Sequence, residues 1–131
     1  MRNCARLFLC GVVCLVLASN TLAQKRRHAP AWGVPEVFSD LYLEAETGDV
    51  GGMEVIMVPS YGGTWATVVV ASGIAYEPVL VRVTENGSNI EFTLPSSAPY
   101  GDYGKFTGKI TRAGMILWNQ GTRYFLKRQC R

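Results

Sequence analysis

The chain has 131 residues, four cysteines, one histidine and a formal net charge of +3. One histidine is too few for the usual histidine-bearing hydrolytic triad, and for a zinc site built from nitrogen and sulfur ligands. A net charge this small carries no strong signal for a polyanion such as nucleic acid.

Arg2 and Arg6 make a basic start, Leu7 to Ala18 an apolar run, and Thr21-Leu22-Ala23 a small-residue cleavage site before Gln24. Residues 1–23 therefore read as a cleaved signal peptide, and the product is expected to be secreted or periplasmic. The apolar run is about half the roughly 20 residues a helix needs to cross a bilayer, so no transmembrane span is expected after processing. Cys10 and Cys14 follow bulky residues where a lipid-attachment site needs small ones.

Removing residues 1–23 from the 131 leaves 108, takes Cys4, Cys10 and Cys14 away, and lowers the charge to +1 as Arg2 and Arg6 leave. A single domain of that size can bury a real core without disulfide staples. Cys130 then has no partner in its own chain and lies one residue from its end. It is either an inert thiol or the link of a disulfide-bonded dimer.

Residues 24–36 read as a tether: the charged run Lys25-Arg26-Arg27-His28, then Pro30 and Pro35 around Trp32 and Gly33. Trp32 is placed to dock on the domain and pin this tail. From residue 37 to 131 the pattern alternates with period two, and no window shows the helical period.

The first expected strand is Asp40–Glu46, with Leu41, Leu43 and Ala45 inward. A glycine-rich loop spans Thr47 to Gly52. Met53–Val58 follows as a second strand, apolar on both faces except Glu54, and Thr64–Ala71 as a third, dense in β-branched residues.

The run Val79–Leu94 reads as a hairpin turning at Asn86-Gly87, the favoured pair for a two-residue type I′ turn. That turn pairs Val83 with Ile90, Arg82 with Glu91 and Val81 with Phe92, and puts Val79, Val81, Val83, Ile90, Phe92 and Leu94 on one face. Asn86-Gly87-Ser88 also fits a glycosylation sequon, which the turn explains better.

After a long connection, Pro95–Gly104, come Lys105–Thr111, Met115–Trp118 and Thr122–Arg128. Gly108 falls at an inward position, which predicts a bend, a bulge or the close approach of another segment. The expected fold is thus all-β, a single small antiparallel up-and-down barrel or closed sandwich of about eight strands. In strand count and size it is similar to small secreted β-barrels such as the lipocalin and avidin classes. Ser72-Gly73 followed by Tyr76 resembles a motif of bacterial lysozyme inhibitors, whose aromatic–lysine segment and cysteine pair are missing here.

Charge is partitioned along the chain. Six acidic residues and no basic ones lie between Glu36 and Glu54, and seven basic residues and no acidic ones between Lys105 and Arg131. If the first and last strands are neighbours, the two sets neutralise each other across the pairing. That is favoured over a nucleic-acid surface.

No residue set points to a catalytic, metal or cofactor site. Gly48 to Gly52 lacks the lysine and helix of a phosphate loop. Glu44 and Glu46 share a strand face, but a catalytic acid also needs burial.

The aromatics are the remaining signal. Tyr61, Trp65, Tyr76, Tyr100, Tyr103 and Trp118, with Asp102, are candidate contacts for a partner or ligand. Met53, Met57, Trp65 and Trp118 are expected to point inward, either lining a cavity or filling it.

The leading expectation is a non-enzymatic binding module, taking a small apolar ligand inside the barrel or a protein or glycan on the loop face. The alternative is a structural or inhibitory partner of an envelope protein that uses the tyrosine loop. A carboxylate-based glycan hydrolase is the least favoured reading.

Overall fold

The computed structural model describes residues 34–98 and 101–130. The expected signal peptide, the tether up to Gly33 with Trp32, and Tyr100 lie outside the described residues. Nine strands form: β1 (Glu36–Ser39), β2 (Tyr42–Leu43), β3 (Val50–Ser60), β4 (Gly63–Ala75), β5 (Val79–Asn86), β6 (Asn89–Thr93), β7 (Lys105–Ile110), β8 (Gly114–Asn119) and β9 (Thr122–Gln129). There is no helix among the described residues.

From β2 to β9 each strand pairs antiparallel with the next, and β1 sits between β9 and β3. β1 and β2 hold one register along β3, from Glu36↔Met57 to Leu43↔Val50. They are two segments of one first strand, so the wall is an eight-stranded up-and-down barrel with β2 as the extra piece. Closure leaves no long open edge for another chain to pair with.

The first strand begins earlier than its alternation suggests. Leu43, expected inside, is 67% exposed, and the fully buried residue is Phe38. Asp40 is the reason. Its N–H donates to the Met53 carbonyl (3.0 Å), and its Oδ1 accepts the Met53 N–H at 2.6 Å. The carboxylate thus replaces a backbone acceptor and separates β1 from β2. Gly52 makes room: its φ is +101°, and a Cβ there would stand 2.6 Å from the Asp40 carbonyl oxygen.

Residues 44–49, expected to begin inside a strand, instead close the β2–β3 hairpin through Glu44 N–H to Asp49 O and Gly48 N–H to Glu44 O, both 2.8 Å. The barrel seam is therefore Val37↔Gln129, Phe38↔Arg128 and Ser39↔Lys127, not Leu41–Glu46 against Tyr124–Lys127. One ion pair crosses it, Arg128–Glu36 at 2.7 Å.

The β5–β6 hairpin keeps the expected inward face but not the expected register. Its pairs are Asn86↔Asn89, Glu85↔Ile90 and Thr84↔Glu91, so Gly87 and Ser88 occupy the turn. Gly87 has φ +63° while Ser88 stays negative, the demand of a type II′ turn rather than I′. A shift of two in pairing leaves side-chain parity intact, so Val81, Val83, Ile90, Phe92 and Leu94 are still buried. Glu91 therefore faces Thr84 rather than Arg82 and pairs with Lys105 at 2.8 Å, while Arg82 lies opposite Trp65 on its other neighbour, β4. The I′ pattern occurs at Gln120-Gly121, where both residues have positive φ (47° and 84°) between the paired Asn119 and Thr122.

Buried apolar side chains from every long strand meet in the interior. Sixteen buried apolar residues form one cluster, and Phe106 is its hub. Its ring stacks on Phe92 at 5.2 Å and on Tyr103 at 6.1 Å, and tilts against Tyr124 at 6.2 Å. Gly108 is the predicted close approach: a Cβ there would lie 2.6 Å from both the Ile116 carbonyl oxygen and Leu117 Cδ2.

Two polar side chains finish the ends. At the lower end, which holds the turns at 61–62, 87–88 and 111–113, Arg128 lies 4.9 Å over the Phe38 ring and donates to the Thr111 carbonyl (3.2 Å). At the upper end, buried Asn119 donates through Nδ2 to the carbonyls of Tyr103 and Lys105, the latter at 3.0 Å.

Candidate functional site

The candidate aromatics do not converge on one place. Tyr61 is wholly exposed on the lower β3–β4 turn. Tyr76 is at the upper end, in the β4–β5 connection, with its N–H on the Val70 carbonyl at 3.0 Å. Tyr103 packs inward on Phe106 rather than projecting from its loop. Asp102 is exposed beside it, its carbonyl accepting from Gln120 Nε2 at 3.3 Å.

Trp65 and Trp118, expected inside, are 36% and 42% exposed. Strand parity explains both. Ala66 and Val68 on β4, and Met115 and Leu117 on β8, take the buried positions, which turns each tryptophan outward. Met53 and Met57 are buried as expected.

Three of the concavities formed by described residues are open grooves. One of 310 Å³ at the upper end brings Asp102 and Tyr103 together with Asn119, Gln120, Thr122 and Tyr124. One of 320 Å³ lies by the β2–β3 hairpin, with Tyr42, Glu44, Thr47 and Asp49 beside Ser72 and Gly73. The largest of these three, 510 Å³, crosses the outer wall of β5 to β8 and is lined by Thr84, Asn86, Asn89, Ile90, Glu91, Thr107, Gly108 and Trp118.

The pairing registers build this last groove. Thr84↔Glu91, Glu91↔Thr107 and Thr107↔Trp118 run in an unbroken row over four strands. At about 4.8 Å per strand the row is roughly 14 Å long. Asn89↔Asn86 closes the hairpin at one side, and Trp118 stands at the far end. Lys105 Nζ, 2.8 Å from Glu91, balances the groove's single carboxylate.

Sequence reasoning found Trp118 but missed its polar company, because that row exists only once the β5–β6 register is known. It also passed over Asn119, although the alternation Met115, Leu117, Asn119 marks it as a polar residue on the inward face.

The other expected chemistry resolves into structure. Asp40 is engaged with Met53 N–H, while Glu44 and Glu46 lie exposed on a turn. Among the described residues no three His, Cys, Asp or Glu side chains gather where a metal ion could be held. No helix among them is long and apolar enough to cross a membrane. Cys130 is an exposed free thiol. Comparison with known protein families, curated protein sequences and solved structures finds no match to this chain.

Proposed function

We propose that this domain is an exported, non-enzymatic binding module that meets its partner on the outer wall of the barrel rather than inside it. The observation that carries the reading is the contrast between a core in which sixteen apolar side chains pack into one cluster and a 510 Å³ groove outside, where an aromatic ring stands beside hydroxyl, amide and carboxylate groups. Ligand pockets combine apolar surface with a few placed polar groups in this way. A small apolar guest would have to displace Phe92, Phe106 or Met115, each worth several kcal/mol where it stands. Binding is favoured over glycoside hydrolysis because that reaction needs two facing carboxyl groups, and Glu91 is the single acid of the groove.

Export follows from the first 23 residues and is tested separately. The product recovered outside the cytoplasm should begin at Gln24, and deletion of residues 1–23 should leave the chain in the cytoplasm. The binding mode is tested by titrating the folded domain with a long-chain fatty acid and with an apolar dye. No saturable uptake is expected. Stoichiometric, high-affinity uptake of either would overturn the outer-wall reading.

A further inference from the structure

We infer that the groove on β5–β8 is a recognition site for a neutral oligosaccharide, with Trp118 as its stacking platform. This deepens the binding-module reading and rests on it.

The argument begins with what the groove presents. Trp118 lies near one end and is 42% exposed; its indole is a flat apolar plate with one N–H donor at its rim. A pyranose ring has a complementary plan, with C–H bonds on its faces and hydroxyls round its edge. Along the rest of the groove stand Thr84 and Thr107 hydroxyls, the side-chain amides of Asn86 and Asn89, and the Glu91 carboxylate. Hydroxyls and amides both donate and accept, which suits vicinal sugar hydroxyls that do the same. A row of roughly 14 Å, from four strands at about 4.8 Å, is long enough for more than one ring.

Charge narrows the class. Glu91 is the single acid of the lining and is countered by Lys105 at 2.8 Å, so there is no cluster of acids for a metal. Lys109, paired with Asn89, and Arg123, opposite Trp118, border the groove, which is why an anionic sugar serves as the control below. Nucleic acid would need a basic track.

Topology argues against the chief competitor, a peptide added as an extra strand. That mode needs a free sheet edge. Here β6 lies between β5 and β7, and β7 between β6 and β8. What remains is recognition by side chains on a paired, rigid surface.

The test uses the mature chain from Gln24, ¹⁵N-labelled, with the Trp118 indole N–H resonance as reporter. The probes are chito-, cello-, xylo- and malto-oligosaccharides of three to six units, with oligogalacturonate as the anionic control and an extended hydrophobic peptide as the strand-addition control. At least one neutral series should shift the Trp118 indole and the Thr107 and Glu91 amides saturably, with little dependence on salt. Trp118→Ala should weaken that binding at least tenfold, Trp118→Phe should retain part of it, and Trp65→Ala should leave it within twofold. Unchanged far-ultraviolet circular dichroism and retained dispersion of the amide resonances establish that the variants fold.

Saturable shifts by none of the neutral sugars would overturn the proposal, as would binding that survives Trp118→Ala. If the peptide alone moves the same resonances, the sugar assignment fails while the outer-wall module stands. If only oligogalacturonate binds and salt abolishes it, the neutral-ligand argument is wrong.

Discussion

Trp65 and Trp118 sit in nearly the same immediate setting, yet the strands beyond them present different chemistry, and Trp118 lines the 510 Å³ groove. Each is a half-exposed ring on the outer wall, with an arginine directly across one neighbouring strand: Arg82 opposite Trp65, Arg123 opposite Trp118. The difference lies beyond the immediate pair. On the other side of Trp65 is Val58, and one row along come Ile56, Thr67 and the 63% exposed Leu80. Arg82 is already spent, donating to the Gly62 carbonyl at 2.9 Å. On the other side of Trp118 come Thr107, then Glu91, then Thr84. An exposed aromatic thus acquires chemical meaning from the second and third strands away, which no local window of sequence contains.

The sharpest way to break this comparison is behind the Trp118 wall. Gly108→Val would drive carbon into the Ile116 carbonyl and the Leu117 side chain, neither of which can move freely in a packed interior. We expect a loss of about 3 kcal/mol or more, read from urea denaturation. A stable valine variant would mean that the β7–β8 backbones are farther apart than described.

Next comes Asn119→Ala, which deprives two carbonyls at the upper rim of their donor. It should cost roughly 1–3 kcal/mol and raise amide exchange from Tyr103 to Lys105. Loss of stability without faster exchange there would place the role of Asn119 elsewhere.

Trp65→Thr should cost less, about 0.2–1 kcal/mol through lost cross-strand packing, and leave the Trp118 indole resonance unmoved. A large shift of that resonance would show that the two walls communicate. The smallest effect belongs to Lys105→Met. An exposed ion pair contributes about 0.2–1 kcal/mol, so thermal unfolding should change little. The groove should nonetheless begin to repel anions, because Glu91 then stands uncompensated.

The architecture was legible because alternation is a local signal repeated in about eight strands. Buried Val81, Val83, Ile90, Phe92 and Leu94 followed from it even though the hairpin register did not, since a shift of two residues preserves which face each side chain takes. The register itself turned on Gly87 alone adopting positive φ, a choice that Asn86-Gly87 leaves open. The first strand misled for a different reason. Leu41, Leu43 and Ala45 alternate well, but Asp40 uses its carboxylate as a substitute for backbone and hands the core position to Phe38. The groove was illegible altogether: its polar residues come from β5, β6 and β7, and each taken alone reads as an ordinary solvated position.

The seam between β1 and β9 also dictates an order of events in time. Gln129 Nε2 reaches the carbonyl of Ser39, 90 positions earlier in the chain, and β1 has no second neighbour until β9 arrives. A growing polypeptide can form its hairpins one by one, but it cannot seal the cylinder until β9 has emerged. Until then Phe38 and Leu126 lack their final enclosure. The last strand made is therefore the one that turns a string of hairpins into a cylinder resistant to unfolding.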